Sequence, residues 1–285
     1  MQKNRSKKRI KSIFANIFLH LLFIILVFIV LIPILYALSV SLNAENSLLS
    51  ADFHFIPKNF TLDNYKQVFT QEPVLHWLKN TLILAVATVF ISLAVAVPAA
   101  YVLSRKRFKG RKFILKNIVL LYSFPQILSM FALYRLLSPL GLINNRLGLI
   151  VVYTGTMIVF SVLNLKGYFD TIPIEIEEAA AIDGAKDKDL VLRILLPLAK
   201  PSIITTGMNV LIYVWNEYIF ATTFMTGEAN YTLAAGLYSL QATEMSGSWP
   251  IFAAASIIVS LPILILFFIN MKHMQSGLTA GGVKG

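Results

Sequence analysis

The stretch that decides the fold is residues 81–104, TLILAVATVFISLAVAVPAAYVLS, which is followed at once by RKRFKGRK at 105–112. A helix of about 20 apolar residues crosses the roughly 30 Å hydrocarbon core of a bilayer. The first segment contains no charged residue that would interrupt such a helix. Basic residues concentrate in loops on the cytoplasmic side, so the second segment predicts the inner end of this helix. The two segments together predict a membrane span and the direction in which it runs.

Apolar runs of similar length occur along the rest of the chain. Hydrophobic residues make up 57% and charged residues 14% of the sequence, whereas charged residues are roughly a quarter of an ordinary soluble domain. The runs predict an all-α, polytopic transmembrane helical bundle with six spans, at 13–42, 81–104, 113–138, 147–166, 202–225 and 250–271. The first run follows a basic start, as a signal core does, but it is too long for one and lacks a small-residue cleavage site. We therefore interpret it as a retained first helix.

The positions of the basic residues predict the topology. A net charge of +11 would suit nucleic acid, but the basic residues cluster at 3–11 and 105–112, beside membrane spans. This placement argues against a nucleic-acid partner. We predict cytoplasmic tails at 1–12 and 272–285, an extracytoplasmic segment at 43–80, and a core at 81–271 that contains a cytoplasmic loop at 167–201.

Several patterns typical of enzymes are absent from the sequence. There is no cysteine, and hence no disulfide or thiolate metal site. No G-x-x-x-x-G-K-[ST] phosphate loop, H-E-x-x-H or G-x-S-x-G pattern occurs, and the four histidines are widely scattered. The sequence therefore predicts no catalytic residue, no metal site and no cofactor in this chain.

The loop at 167–201 differs in composition from the spans around it. Seven of the chain's 14 acidic residues lie there, interleaved with basic residues. Pro173 suits the first turn of a helix, and Gly184 suits its end, because glycine accepts the left-handed conformation at little cost. A second short helix over 190–196 would end at Pro197. We therefore predict a helix, a bend and a second helix in this loop.

The same loop carries a spaced motif. Glu178-Ala179-Ala180 is followed by Gly184 and then by Ile194-Leu195-Leu196-Pro197. This spacing resembles the EAA loop of the permeases of binding-protein-dependent ABC importers. The resemblance covers most of the chain and is closest to the maltose/maltodextrin family of permeases. Four further segments stand where that family has them: 60–65 (FTLDNY), Asn80, Trp215-Asn216-Glu217 and the ending 277–285 (GLTAGGVKG).

The resemblance implies a type I ABC importer in a bacterial cytoplasmic membrane. This chain would be one of two related permease subunits, assembled with a pair of cytoplasmic ATPase subunits that bind ATP and Mg²⁺ and with an extracytoplasmic solute-binding protein. The implied cargo is an oligosaccharide of the maltodextrin type, and both chain termini would be cytoplasmic. Two alternatives stay open: a permease for another solute, and a membrane receptor or intramembrane enzyme.

The resemblance also assigns roles to residues of the two loops. Glu178, Ala179, Ala180 and Gly184 would form the core of the ATPase-docking bend, with Ile194, Leu196 and Pro197 holding the second helix against the bundle. The outer segment at 226–249 would meet the solute-binding protein and help to displace its sugar, with Gly236, Tyr238 and Gln241 as contact residues. The alternative for this segment is packing that only seals the outer face.

Polar residues inside the spans are costly unless they face protein or water. On the fifth span, Asn209, Tyr213, Asn216 and Glu217 have offsets of 0, 4, 7 and 8, which predict one helical face. On the fourth span, Thr154, Met157, Ser161 and Asn164 have offsets of 0, 3, 7 and 10. The two stripes either line one translocation cavity or form hydrogen bonds between helices. Glu217 is either functional or a structural anchor.

Overall fold

The computed structural model of the chain describes residues 2–44, 55–70, 73–242 and 249–282. Apart from one isolated bridge between Asn43 and Phe60, these ranges form helices and turns. The helices used below are α1 (Gln2–Ser41), α2 (Asp63–Thr70), α3 (Val74–Arg105), α4 (Arg111–Tyr122), α5 (Met130–Leu137), α6 (Arg146–Phe169), α7 (Glu175–Ile182), α8 (Lys200–Asn216), α9 (Ile219–Phe224), α10 (Leu233–Ala242) and α11 (Trp249–Gly282). Residues 283–285 of the C-terminal motif and 243–248 of the outer segment lie outside the described residues.

The chain divides into two compact units, the first made of 1–72 with 243–258 and the second of 73–242 with 259–285. In the first unit, Asn64 closes the end of α1. Its side-chain amide donates hydrogen bonds to the carbonyl oxygens of Ser41 at 3.0 Å and Asn43 at 2.8 Å. The hydroxyl of Tyr65 lies 2.7 Å from that of Ser41. These bonds give the stretch at 60–65 a structural role, because they satisfy carbonyl groups at the helix end.

The second unit is built on the pairing of α3 with α6. A stripe of small residues on α3, spaced four apart, is fully buried: Thr88, Ser92, Ala96 and Ala100. Small side chains allow neighbouring helix backbones to approach closely within a membrane, where packing drives helix association. Apolar clusters lie along this pair, one around Leu84, Tyr153 and Phe224 and another around Leu165, Phe169 and Leu195.

The expected fold class is confirmed. Four helical stretches are long and apolar enough to cross a membrane: Asn16–Ser41, Val74–Arg105, Arg146–Phe169 and Trp249–Met271. Two helix pairs pass the same test but are bent, Arg111–Ser123 with Gln126–Leu140 by 91° and Leu190–Leu198 with Lys200–Asn216 by 75°. If each bent pair is one span, the count is the six that the sequence predicts.

Some predicted boundaries are wrong. The span expected at 113–138 is broken, because Pro125 has an extended backbone (φ −64°, ψ 111°) and cannot donate the next helical hydrogen bond. The span expected at 202–225 is also interrupted: α8 ends at Asn216, and Glu217 is extended (ψ 116°) before α9 begins. The helix that contains the second predicted span begins at Val74, before the apolar run that starts at 81.

Candidate functional site

The first helix of the loop at 167–201 ends as predicted at a left-handed glycine. Gly184 has φ +86°. Its N–H donates to the carbonyl of Ala181 at 3.1 Å, and the N–H of Ala185 donates to the carbonyl of Ala180 at 3.0 Å. This pair of bonds is a Schellman motif, in which the residue after the helix cap needs a positive φ. The chain therefore turns sharply after α7.

The second helix of the loop is not a regular α-helix. A short turn at Asp187–Asp189 leads into a π-helical segment, Leu190–Leu195, and then into a second short turn, Leu196–Leu198, that precedes α8. The wider π turn makes hydrogen bonds between residues five apart. Leu190 and Leu195, which are five apart, are accordingly both buried.

The anchoring residues of this segment differ from those expected. Ile194 and Leu196 are half-buried, and Pro197, in the first turn of a short helix, is exposed. Leu195 is instead fully buried in the cluster around Phe169. The motif specifies the neighbouring residues Ile194 and Leu196 but not Leu195. An α-helical period does not place Leu190 and Leu195 on the same face, so sequence reasoning missed Leu195.

The outward surface of the loop is apolar as well as charged. Glu178, Ala179 and Gly184 are exposed, and Ala180 is half-buried. Ile182, next to the bend, is 86% exposed, and Leu192 on the following segment is 50% exposed. Exposed apolar side chains beside small residues are typical of a surface that binds a partner protein.

A buried ion pair attaches α7 to the end of α3. The carboxylate of Glu177 accepts a hydrogen bond from the guanidinium of Arg105, and the two side chains are only 8% and 10% exposed. The same guanidinium donates to the carbonyl of Ile172 at 2.8 Å. Sequence reasoning missed this pair, because Arg105 served only as a topology signal and Glu177 stands just before the recognised motif.

A second polar contact ties the end of α6 to α3. Asp170 accepts a hydrogen bond from the hydroxyl of Ser104 at 2.6 Å and pairs with Lys166. Burial raises the pKa of the Asp170 carboxyl, but the hydrogen bonds from Lys166 and Ser104 and the charges of Lys166 and Arg105 outweigh burial and bring that pKa below its usual value. Asp170 is therefore ionised near neutral pH.

The polar residues of α8 bond mainly within their own helix. The side-chain amide of Asn209 donates to the carbonyl of Thr205 at 3.0 Å, and that of Asn216 donates to the carbonyl of Ile212 at 2.8 Å. Such bonds to the residue four positions earlier satisfy a polar group inside a span. Asn216 is exposed, whereas Asn209 and Tyr213 are half-buried. This stripe is partly accessible on the surface of the chain.

Glu217 lies just past the end of α8, so its predicted helical offset is wrong. Its carboxylate accepts hydrogen bonds from the hydroxyl of Tyr153 at 2.6 Å, from the N–H of Phe220 at 2.8 Å and from the N–H of Ala221 at 3.2 Å. Glu217 thus caps α9 and links it to α6. This geometry favours the alternative of a structural anchor.

The stripe on α6 does not form an open surface. Ser161 is fully buried, and Thr154 is 7% exposed. Asn164 is half-buried and donates to the hydroxyl of Thr206 on α8 at 2.7 Å. Close helix packing encloses Thr154 and Ser161, which favours helix packing over the cavity-lining alternative for these two side chains. The contact of Asn164 is the interhelical hydrogen bond of the alternative.

The outer segment is fixed to the start of α3. The side-chain amide of Asn80 donates to the carbonyls of Ala229 at 3.0 Å and Tyr231 at 2.9 Å. The hydroxyl of Thr81 accepts from the N–H of Leu233 at 2.8 Å, where α10 begins. The resemblance singled out Asn80 without giving it a role. The hydrogen bonds show that its side chain fixes the turn that precedes α10.

The three expected contact residues of the outer segment divide into two kinds. Tyr238 and Gln241 are exposed, and the Tyr238 ring lies 5.8 Å from that of Tyr218. Gly236 is buried, and a Cβ at this position would lie 2.2 Å from the ring of Trp77. Gly236 is therefore a packing residue, which corrects its expected role as a contact.

Comparisons with known proteins agree with this arrangement. The family described as "Binding-protein-dependent transport system inner membrane component" matches residues 92–278. The chain is 35% identical over 280 residues to the galactooligosaccharides transport system permease protein GanQ of Bacillus subtilis, covering 97% of this chain and 98% of that protein. It is 38% identical over 219 residues to the maltose/maltodextrin transport system permease protein MalG of Vibrio vulnificus, covering 75% and 73%.

Solved structures show the same fold. A chain of a bacterial ABC transporter that imports the acidic polysaccharide alginate has a TM-score of 0.78 and 25% identity, covering 91% of this chain and 96% of that chain. A chain of the MetNI methionine ABC transporter has a TM-score of 0.56 at 17% identity, covering 72% and 94%, which supports the fold alone. The chain therefore belongs to the family of inner-membrane components of binding-protein-dependent transport systems, the non-catalytic permease subunits of ABC importers.

Proposed function

We propose that this chain is a permease subunit of an oligosaccharide importer, with maltodextrin-like sugars as the cargo class. The supporting observation is similarity over 97% of the chain to a permease named for galactooligosaccharides and over 75% of the chain to a permease named for maltose and maltodextrin. Similarity over the full length includes the spans and the outer segment, where cargo passes, and not only the cytoplasmic loop. A fold alone does not specify function, which depends on the residues of such sites.

In this proposal the surface of α7 and the bend at Gly184 dock a partner ATPase, which binds ATP and Mg²⁺. Ile182 and Leu192 supply apolar contact area, and Glu178 supplies charge complementarity. A second, related permease completes the membrane pathway, and an extracytoplasmic solute-binding protein delivers the sugar. Asn209, Tyr213 and Asn216 contribute to the pathway, while Glu217 holds its helices in place.

Co-purification and ATPase assays test this function. The full chain, expressed with its partner subunits, is expected to bring down an ATPase and a second permease. After reconstitution into proteoliposomes, oligosaccharide-loaded binding protein is expected to stimulate ATP hydrolysis, measured as phosphate release. If only binding protein loaded with a non-carbohydrate solute stimulates ATP hydrolysis, the proposed cargo class is wrong. Failure to recover any ATPase from a well-folded preparation would contradict the importer function itself.

We place both termini in the cytoplasm. The loop between α3 and α4 is then cytoplasmic, and the segment around Lys66 faces outward. Lys109 and Lys66 are both exposed, and the chain has no cysteine of its own. In intact cells, an impermeant maleimide is expected to label Lys66→Cys and not Lys109→Cys, with both labelled after lysis. Labelling of Lys109→Cys from outside would reverse the orientation.

Gly184→Val is expected to impair transport while leaving membrane insertion intact. Space around the position is open, so the penalty comes from the left-handed backbone, about 1–2 kcal/mol for a residue with a Cβ. A change of this size shifts an equilibrium roughly 5- to 30-fold. Gly184→Asn is the control, because asparagine tolerates this conformation. Sugar uptake equal to wild type in Gly184→Val would remove the bend from the mechanism.

Tyr238→Ala with Gln241→Ala tests the outer segment without disturbing its buried packing, because both side chains are exposed and the ring that Tyr238 contacts, Tyr218, is exposed as well. Truncation of a tyrosine at an interface hot spot costs about 2 kcal/mol, so stimulation by loaded binding protein is expected to fall about tenfold or more. Glu228→Ala, an exposed change in the preceding turn, is the control. Undiminished stimulation in an assembled complex would assign the segment a sealing role only.

A further inference from the structure

An open pocket lies at the hairpin between α3 and α4. It has a volume of about 770 Å³ and combines two kinds of side chain in its wall. The cations are Arg107, Arg111 and Lys112, and the apolar side chains are Phe108, Phe113 and Leu115. No acidic residue is among the residues that line it. A pocket with this wall complements a ligand that carries an anionic group next to an apolar body.

The rim of the pocket is held in place by Arg111. Its guanidinium donates to the carbonyls of Leu103 at 2.8 Å and Ser104 at 3.2 Å, at the C-terminal end of α3. A cation at this end of a helix satisfies carbonyl groups that have no partner in the helix. Arg107 and Lys112 differ from Arg111, because both are exposed and neither makes an ion pair or hydrogen bond within the described part of the chain. Their charges remain available to a ligand.

The pocket is expected at the depth of the lipid headgroups. It lies at the end of α3, which is long and apolar enough to span the membrane. None of the side chains of α4 is buried, and Phe113 is 71% exposed, so this helix presents apolar surface outside the helix bundle. Basic pockets beside membrane helices bind anionic headgroups, and long basic side chains extend from apolar surroundings toward the interface.

We propose that this pocket binds an anionic phospholipid of the surrounding membrane, such as phosphatidylglycerol. The phosphodiester oxygens accept hydrogen bonds from Arg107 and Lys112, and the acyl chains lie along Phe113 and Leu115. The site is distinct from the docking surface of α7 and from the sugar pathway. It depends on the chain being a membrane permease and not on which solute the importer carries.

The test uses the complete importer complex, purified in detergent and depleted of native lipid. Binding of fluorescent phosphatidylglycerol in neutral mixed micelles is measured by anisotropy, with fluorescent phosphatidylcholine as the comparison lipid. Each basic residue near an anionic surface strengthens binding about fivefold, so Arg107→Gln with Lys112→Gln is expected to weaken phosphatidylglycerol binding about 25-fold. The matched control, Lys66→Gln with Lys79→Gln, removes the same charge from two other exposed positions and is expected to bind as wild type does.

A charge-preserving variant separates binding from folding. Arg107→Lys with Lys112→Arg is expected to retain phosphatidylglycerol binding. Equal binding of phosphatidylcholine, equal weakening by the control pair, or unchanged binding in the Gln variant would overturn the proposal. Displacement of the lipid by millimolar inorganic phosphate would also overturn it, because the pocket would then be a phosphate site. Lipid binding is measured without transport, so a complex that fails to transport sugar can still be tested for lipid binding.

Discussion

Glu177→Gln is expected to abolish most sugar uptake while the chain still inserts into the membrane. The side chain pairs with Arg105 in a buried setting, and removing one partner leaves an uncompensated buried charge that costs about 3–5 kcal/mol. This pair attaches α7 to α3, so its loss is expected to release the docking helix from the bundle. The predicted signature is ATP hydrolysis with little uptake, measured together in proteoliposomes that contain the full complex.

A double-mutant cycle distinguishes this positioning role from general damage. Arg105→Met and Glu177→Met are each expected to impair uptake, whereas the double variant recovers part of it, because no unpaired charge remains. Glu175→Gln is the matched control, since Glu175 lies exposed in the first turn of the same helix. Additive losses in the double variant, or a loss in Glu175→Gln as large as in Glu177→Gln, would contradict the role of the ion pair.

Gly236→Ala is expected to reduce the amount of folded complex. The new Cβ would lie 2.2 Å from the ring of Trp77, which is only 1% exposed. Overpacking of a core costs about 1–3 kcal/mol, and in this case it acts where α10 rests on α3. The measurement is the thermal midpoint of the purified complex, followed with the yield of assembled complex.

The control for this prediction is another glycine of the second unit. Gly155 lies within α6 with nothing within 4 Å of an added Cβ, so Gly155→Ala is expected to be neutral or slightly stabilising. Combining Gly236→Ala with Trp77→Leu is expected to recover part of the loss, because the smaller side chain makes room. A thermal midpoint for Gly236→Ala equal to that of wild type would show that the close contact with Trp77 relaxes at little cost.

Gly236 and Tyr238 have different surroundings in the outer segment, since the glycine is buried and the tyrosine is exposed. Deletion of residues 236–239 would remove Gly236 together with Tyr238, and so would disturb packing and contact surface at once. Substitution of Tyr238 and Gln241 changes only exposed side chains. The buried glycine and the exposed tyrosine therefore need separate variants.

The sequence by itself determined the fold class, the approximate spans and the left-handed bend at Gly184. These features follow from local rules, since a span needs only a sufficient apolar length and a helix stop needs only a residue that tolerates positive φ. The motif spacing predicts a docking role for the loop at 167–201 from local information as well, because the residues of the motif are close along the chain.

Only the tertiary structure decided which polar residues are accessible and which are buried or hydrogen-bonded to other elements. Arg105 and Glu177 are 72 residues apart, and Asn80 is 149 residues from the carbonyl of Ala229 that it binds, so no local period indicates either contact. Helical offsets placed Glu217 on the face of a helix that in fact ends one residue earlier, because its carboxylate caps the next helix. Periodicity likewise could not tell that Thr154 and Ser161 are enclosed, since burial depends on which neighbouring helix packs against that face.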